Sequence, residues 1–262
     1  MKLHHEVHEE GNGPYCLLMH GFLSSRAQWR LNVDALKVAC KPVVVELWGH
    51  GRSPTPRDHA SYRVEHYVAM FDDIRRSLGA RQWFICGQSF GAGLTLRYCL
   101  LHPEAVIAQV FTNTMAALSL PGELARAVRM QTHAEQIESA GLEAVRRLPF
   151  HPRFAKRFPH EVHREMLADA ERIDPVAVAN SLRLTSPFLS VTTSFAETSV
   201  PTLLVNGMRE TRFQPLRERA KHLLPALEIV DLEGGHSVNI EAAREFNAAA
   251  VSFLRRHQPG LA

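Results

Sequence analysis

Gln82-Trp-Phe-Ile-Cys86-Gly87-Gln88-Ser89-Phe90-Gly91-Ala92-Gly93 is the stretch on which the reading of this chain turns. Residues 82–86 form a short apolar run of the kind buried strands use, and the pattern that opens at residue 90 and runs to Leu101 is helical. A strand that passes into a helix within three residues must turn sharply, and the small residues at 87 and 91 let neighbouring chain approach that turn. Ser89 stands at its apex. Its hydroxyl is thereby exposed at a helix N-terminus, where the dipole favours developing negative charge. A bare Gly-x-Ser-x-Gly also occurs in purely structural turns; the strand on one side and the helix on the other make a nucleophile the better reading.

Working outward, the runs Tyr15–Met19, Pro42–Glu46, Val106–Phe111, Pro201–Val205 and Leu227–Asp231 read as further buried strands. Helical patterns fall near 26–38, 64–78, 90–101, 213–224 and 240–256. Strand and helix alternate, as in an α/β fold built on a mostly parallel, doubly wound sheet. Residues 2–8 can add an antiparallel edge strand. From 114 to 198 the alternation stops: the segment is helical or irregular, holds Pro121, Pro149, Pro152, Pro159, Pro175 and Pro187, and shows no convincing strand. It is too long for a structureless loop. The expectation is a core of residues 1–113 and 199–262 with an inserted helical cap, 114–198, over the C-terminal ends of the strands, where open α/β sheets bind ligands.

Composition narrows the partners. The chain has 262 residues, 45% apolar and 22% charged, and a formal charge of +3 with acids and bases interspersed. Those values suit one globular domain and give no basic block for nucleic acid. The first residues lack the apolar stretch of a signal peptide, and no run of about 18 apolar residues offers a membrane span. A cytoplasmic protein with no membrane or nucleic-acid partner is expected. Cys16, Cys40, Cys86 and Cys99 form no CxxC pair and read as buried small side chains. The fifteen histidines show no ligand spacing, so no metal is expected, and acyl chemistry on a serine calls for no organic cofactor either.

Three more segments carry chemistry. His20-Gly21-Phe22 follows the strand Tyr15–Met19, where a loop amide is needed beside the one after the nucleophile to hold an oxyanion; the donors would be the N–H groups of Phe22 and Phe90. His20 itself reads as a brace for the loop. Gly234-Gly235-His236 follows the last strand, which gives the order serine, acid, histidine. Glu210, in the loop after Pro201–Val205, is the chosen acid, and Asp231 is the reserve because it too lies close to His236 in sequence. The turn Gly49-His50-Gly51-Arg52-Ser53 is glycine-punctuated and reads as structural.

In that order His20-Gly21-Phe22, Gly49–Ser53, Gly87–Gly91, Gly207-Met208-Arg209-Glu210 and Gly235-His236 resemble the landmarks of the α/β-hydrolase superfamily over essentially the whole chain. The resemblance implies a triad of Ser89, Glu210 and His236 with oxyanion donors at Phe22 and Phe90. The family usually has aspartate where Glu210 stands. The run Gly207–Pro215 is also similar to the menaquinone-pathway group of 2-succinyl-6-hydroxy-2,4-cyclohexadiene-1-carboxylate synthases, although Gly93 stands where that group has a substrate-binding arginine.

The expected activity is hydrolysis of a small ester, a lactone or a C–C bond beside a ketone through an acyl-enzyme on Ser89. Two alternatives stay open: a lyase or synthase that uses Ser89 and His236 as an acid–base pair, and a small-ligand receptor on the same fold. Phe150 and Phe188 are candidate substrate-binding residues of the cap, against the plainer explanation that they pack it onto the core. The bases of 146–164 either draw in an anionic substrate or form a solvated face. A small molecule is the expected partner, and self-association is left open.

Overall fold

The computed structural model describes residues 1–120 and 124–259. Pro121 and the last residues of the chain, 260–262, lie outside them. Seven strands are present among the described residues: β1 (His5–Val7), β2 (Tyr15–Met19), β3 (Lys41–Val45), β4 (Trp83–Gly87), β5 (Val106–Thr112), β6 (Thr202–Gly207) and β7 (Glu228–Leu232). They form one sheet in the order β1-β3-β2-β4-β5-β6-β7, parallel except for β1, which runs antiparallel to β3. The chain winds outward from β2 to β3, then crosses back to β4 on the other side of β2. The ends of β2 and β4 therefore flank the switch point, where the loops diverge and leave a crevice.

The inner strands are apolar on both faces because both are covered. Cys16, Leu18, Val44, Phe84, Cys86, Val110 and Val205 pack on one side with Trp29, Phe246 and Phe253, while Leu17, Met19, Val43, Val45 and Ile85 pack on the other with Tyr67, Phe71 and Leu94. Burying an aliphatic side chain of this kind contributes about 1.5–3 kcal/mol. The covering helices are α1 (Val33–Leu36) and α11 (Ala243–Arg256) on the first face, and α2 (Val64–Ser77), α3 (Phe90–Leu101) and α9 (Gln214–Leu223) on the second. All four cysteines are buried and unpaired.

Two helices are shorter than their sequence patterns. The 26–38 pattern is a 3-10 turn, Arg26–Trp29, followed by the four-residue α1. The break falls at Asn32, whose side-chain amide is drawn away to the Asn239 carbonyl and the Asn247 side chain. The 240–256 pattern starts earlier, at α10 (Val238–Glu241), and is interrupted by Ala242 at φ −132° and ψ 50°, outside the helical region.

Between β5 and β6 no strand occurs among the described residues. The helices there are α4 (Met115–Leu118), α5 (Leu124–Ala140), α6 (Leu142–Arg147), α7 (His160–Ala170) and α8 (Pro175–Leu184). α4 packs with the core. Ile137, Val145, Leu148, Ile173, Val178 and Leu182 make a separate apolar cluster that closes on Leu23, with Phe22 against it. The insert is thus seated on the loop that follows β2.

Candidate active site

Ser89 occupies φ 53° and ψ −112°, a left-handed conformation that a residue with a Cβ avoids. Such strain costs on the order of 1–3 kcal/mol and persists only where the surroundings impose it. Here they do. Helix α3 starts hard against the end of β2: a Cβ on Gly91 would fall 2.4 Å from the carbonyl oxygens of Met19 and His20. The Gln88 amide donates to the Met19 carbonyl at 3.0 Å, and the Gln88 side chain donates to the His236 carbonyl at 3.2 Å. Gln88 therefore ties the serine turn to the histidine loop, a role the sequence reading did not give it.

The structure brings Ser89, His236 and Glu210 together. Ser89 Oγ lies 2.7 Å from His236 Nε2, and His236 Nδ1 lies 2.9 Å from both carboxylate oxygens of Glu210. Burial pushes the Glu210 carboxyl up. The hydrogen bond and charge of His236, with the amide of Asn113, outweigh that effect and hold it below the usual carboxylate range. An ionised carboxylate can only accept, so Nδ1 carries the proton and Nε2 is left to accept from the serine hydroxyl. Asp231 is engaged elsewhere: Arg217 Nη2 pairs with it at 2.7 Å, and the Asn206 amide donates to it at 2.8 Å.

Asn113, just beyond β5, is a fully buried residue that the sequence reading missed. Its amide nitrogen donates to Glu210 Oε2 at 2.9 Å and to the Gly207 carbonyl at 3.0 Å, and its oxygen accepts from the Gly207 N–H at 2.8 Å. One side chain thus closes off the end of β6 and orients the carboxylate that follows it.

The amides of Phe22 and Phe90 have no protein acceptor among the described residues. Their rings stack with centroids 5.1 Å apart, and Phe150 from the insert meets Phe22 edge-on at 5.6 Å. Phe188 is not part of this aromatic run: the residue is 60% exposed, and its carbonyl accepts from Arg97. The Leu47 N–H donates to His20 Nε2 at 3.1 Å, and His20 Nδ1 contacts the Gly21 carbonyl at 2.7 Å, so this imidazole joins the loops after β2 and β3. Burial lowers its pKa to about 4. Burial and the neighbouring His20 lower that of His50 to about 3. Ser53 is a brace, donating to the Glu46 carbonyl and accepting from the His4 amide.

Among the described residues, three of the six bases in the insert's basic stretch are ion-paired. Arg146 meets Glu143 and Glu171, Arg147 meets Glu143, and Arg157 meets Glu241. Among the described residues no group of three or more His, Cys, Asp or Glu is arranged to hold a metal. No helix among them is long and apolar enough to cross a membrane.

A family model described as alpha/beta hydrolase fold matches residues 16–243. In sequence, the chain is 27% identical over 244 residues, 90% of its length and 88% of the other, to a Bacillus subtilis (strain 168) protein provisionally named 2-succinyl-6-hydroxy-2,4-cyclohexadiene-1-carboxylate synthase. It is 34% identical over 115 residues to epoxide hydrolase B of Mycobacterium tuberculosis (strain ATCC 25618 / H37Rv), covering 42% of this chain and 32% of that one. In structure, MenH from S. aureus superposes with a TM-score of 0.84 over 97% of this chain and 98% of its own, at 19% identity. The enol-lactonase from Burkholderia xenovorans LB400 gives 0.76 over 96% of each chain at 20% identity. At these identities the structural likeness establishes the fold.

Proposed function

This chain belongs to the α/β-hydrolase family, and from that premise we propose that it is a serine hydrolase acting on a small ester, a lactone or a C–C bond beside a ketone. The observation that carries the reading is the continuous hydrogen-bonded path from Ser89 Oγ through His236 to Glu210, with contacts of 2.7 and 2.9 Å. In this role Ser89 attacks the carbonyl carbon as His236 Nε2 takes its proton, and Glu210 stabilises the imidazolium. The N–H groups of Phe22 and Phe90 hold the oxyanion, where loss of one such donor typically costs 10²–10³ in rate. Collapse expels the leaving group, which takes the proton from Nε2. Water then repeats the sequence and frees Ser89.

The insert acts as a cap in this reading, and Phe150 places an aromatic edge beside Phe22 on the substrate side. The test is a screen of esters, thioesters, lactones and vinylogous diketones with wild type and Ser89→Ala, joined to intact-mass detection of the acyl adduct. Turnover with an adduct on Ser89 is expected. Turnover at the Ser89→Ala level would refute the reading.

A second reading is favoured by the 27% identity to a protein provisionally named as a synthase across 90% of the chain. Ser89 and His236 would then act as an acid–base pair without a covalent intermediate. Turnover that depends on Ser89 but never accumulates an adduct, even when quenched within one cycle, would favour it.

A further inference from the structure

A residue of the insert lies against the backbone immediately before His236. A Cβ on Gly235 would fall 2.5 Å from Arg157 Nη2 and 2.7 Å from Glu241 Oε1, so the ends of both side chains lie close against the chain at that residue. Arg157 Nε lies 2.7 Å from Glu241 Oε2, and the two groups differ in setting: the Arg157 side chain is 59% exposed and that of Glu241 only 6%. Arg157 is the one cation paired with that carboxylate among the described residues. Phe158, next in sequence, packs with Ala27, Val162, Met166 and Ile240, which fixes the segment against α10 on the far side of the same loop.

We infer that Arg157 is a positioning residue for the base: by neutralising Glu241 against the Gly235 backbone, the docked insert sets the place of the His236 imidazole. This rests on the reading of His236 as general base. A nearly buried carboxylate deprived of its cation draws in water or moves outward. Glu241 sits on the helix turn that begins two residues after His236, so either response shifts the imidazole relative to Ser89. A displacement of about 1 Å in a reacting group can cost on the order of 10² in rate. The insert then does more than cover the site, since its seating sets whether the base is in place.

The test compares wild type, Ser89→Ala, Arg157→Ala, Arg157→Lys, Glu241→Gln and the double variant Arg157→Ala/Glu241→Gln. The readouts are the rate of Ser89 labelling by a small fluorophosphonate and the thermal midpoint. Arg157→Ala is expected to label roughly 10- to 100-fold more slowly, with a lowered midpoint from the uncompensated Glu241 carboxylate that the double variant restores. Arg157→Lys should recover most of the rate. The double variant should label faster than Arg157→Ala alone, since no buried charge is left to hydrate. Wild-type labelling in Arg157→Ala would overturn the inference while leaving the triad reading intact, and so would a lowered midpoint with unchanged labelling. A double variant no faster than Arg157→Ala would also overturn it. If wild type labels no better than Ser89→Ala, the triad reading falls and takes this inference with it.

Discussion

Asn113 and Glu210, from the loops that follow adjacent strands β5 and β6, share a 2.9 Å hydrogen bond in which the asparagine amide holds the carboxylate facing His236. Side chains that orient a reacting group's partner commonly matter by 10- to 100-fold at metal-bound histidines, and the geometry here is analogous. Asn113→Ala should therefore lower kcat by roughly that factor with KM little changed. Asn113→Asp is more specific. It sets a second carboxylate against Glu210, so one of the two keeps a proton and the depressed Glu210 pKa is reversed. The acid limb of the pH–rate profile should move to higher pH. An unmoved limb with normal kcat would show that Asn113 serves only the end of β6.

Ser89 carries backbone strain as well as its hydroxyl, at φ 53°. Ser89→Ala keeps the Cβ and should abolish turnover with the midpoint nearly unchanged. Ser89→Gly should abolish turnover and raise the midpoint, because glycine adopts this conformation without the steric penalty. The net gain is on the order of 1 kcal/mol after glycine's larger entropy loss. Equal midpoints for the two variants would mean that the elbow stores no strain.

The elbow was legible because it is local: an apolar run, three residues and a helix, with Ser89 at the apex. Glu210 and His236 were legible from order along the chain. Asn113 was not, since its partners arrive only through the β5–β6 pairing that sets Thr112 beside Val205 and so Asn113 beside Gly207. The 26–38 helix failed for the same kind of reason, because Asn32 answers to Asn239 and Asn247 from the far end of the chain. Arg157 read as one base in a charged stretch, and nothing near it in sequence announces Glu241.

In the sequence Phe150 and Phe188 were indistinguishable as aromatics of the insert, and the structure separates them. Phe150 touches Phe22, whereas Phe188 lies outside that aromatic run. Phe150→Ala should change the ranking of ester substrates by kcat/KM while fluorophosphonate labelling of Ser89 stays near wild type. Phe188→Ala should alter neither. Equal losses in both assays for Phe150→Ala would place it in the triad's support instead of the substrate's.

Acid should destabilise the fold through His20 and His50. Both are buried, with pKa values lowered to about 4 and about 3 by burial, His20 also depressing His50. In the unfolded chain each binds a proton near pH 6.5. Below that pH the unfolded state holds more protons, so stability falls as pH falls, at up to about 1.4 kcal/mol per pH unit for each histidine until its folded pKa is reached. Above pH 7 neither contributes. Urea unfolding across pH 4–8 should show this slope, and a flat profile from pH 7 to 5 would contradict the neutral, buried state of both rings.

The proposed acid, Glu210, stands where the resemblance to the family leads one to expect aspartate. Glu210 reaches His236 Nδ1 with both oxygens at 2.9 Å, while Asp231 is paired with Arg217. Glu210→Gln keeps the size but presents an amide that cannot stabilise the imidazolium and can donate to Nδ1, favouring the wrong tautomer. The rate should fall by roughly 10³–10⁴, as for the equivalent change in a serine protease. Glu210→Asp keeps the charge and removes one methylene. Asn113 also donates to Oε2, so a carboxylate drawn back by one methylene is pulled between its two partners. An intermediate loss is expected, with the Nδ1 contact retained at the expense of Asn113 if the charge matters more than the clamp. Combining Glu210→Asp with Asn113→Ala then separates the two effects. If the clamp has already been lost in the single variant, the second substitution adds little to the loss. Asp231→Asn, which breaks only the pair with Arg217, should leave kcat near wild type. Inactivation by Asp231→Asn with Glu210→Gln still active would move the acid to β7 and refute the assignment.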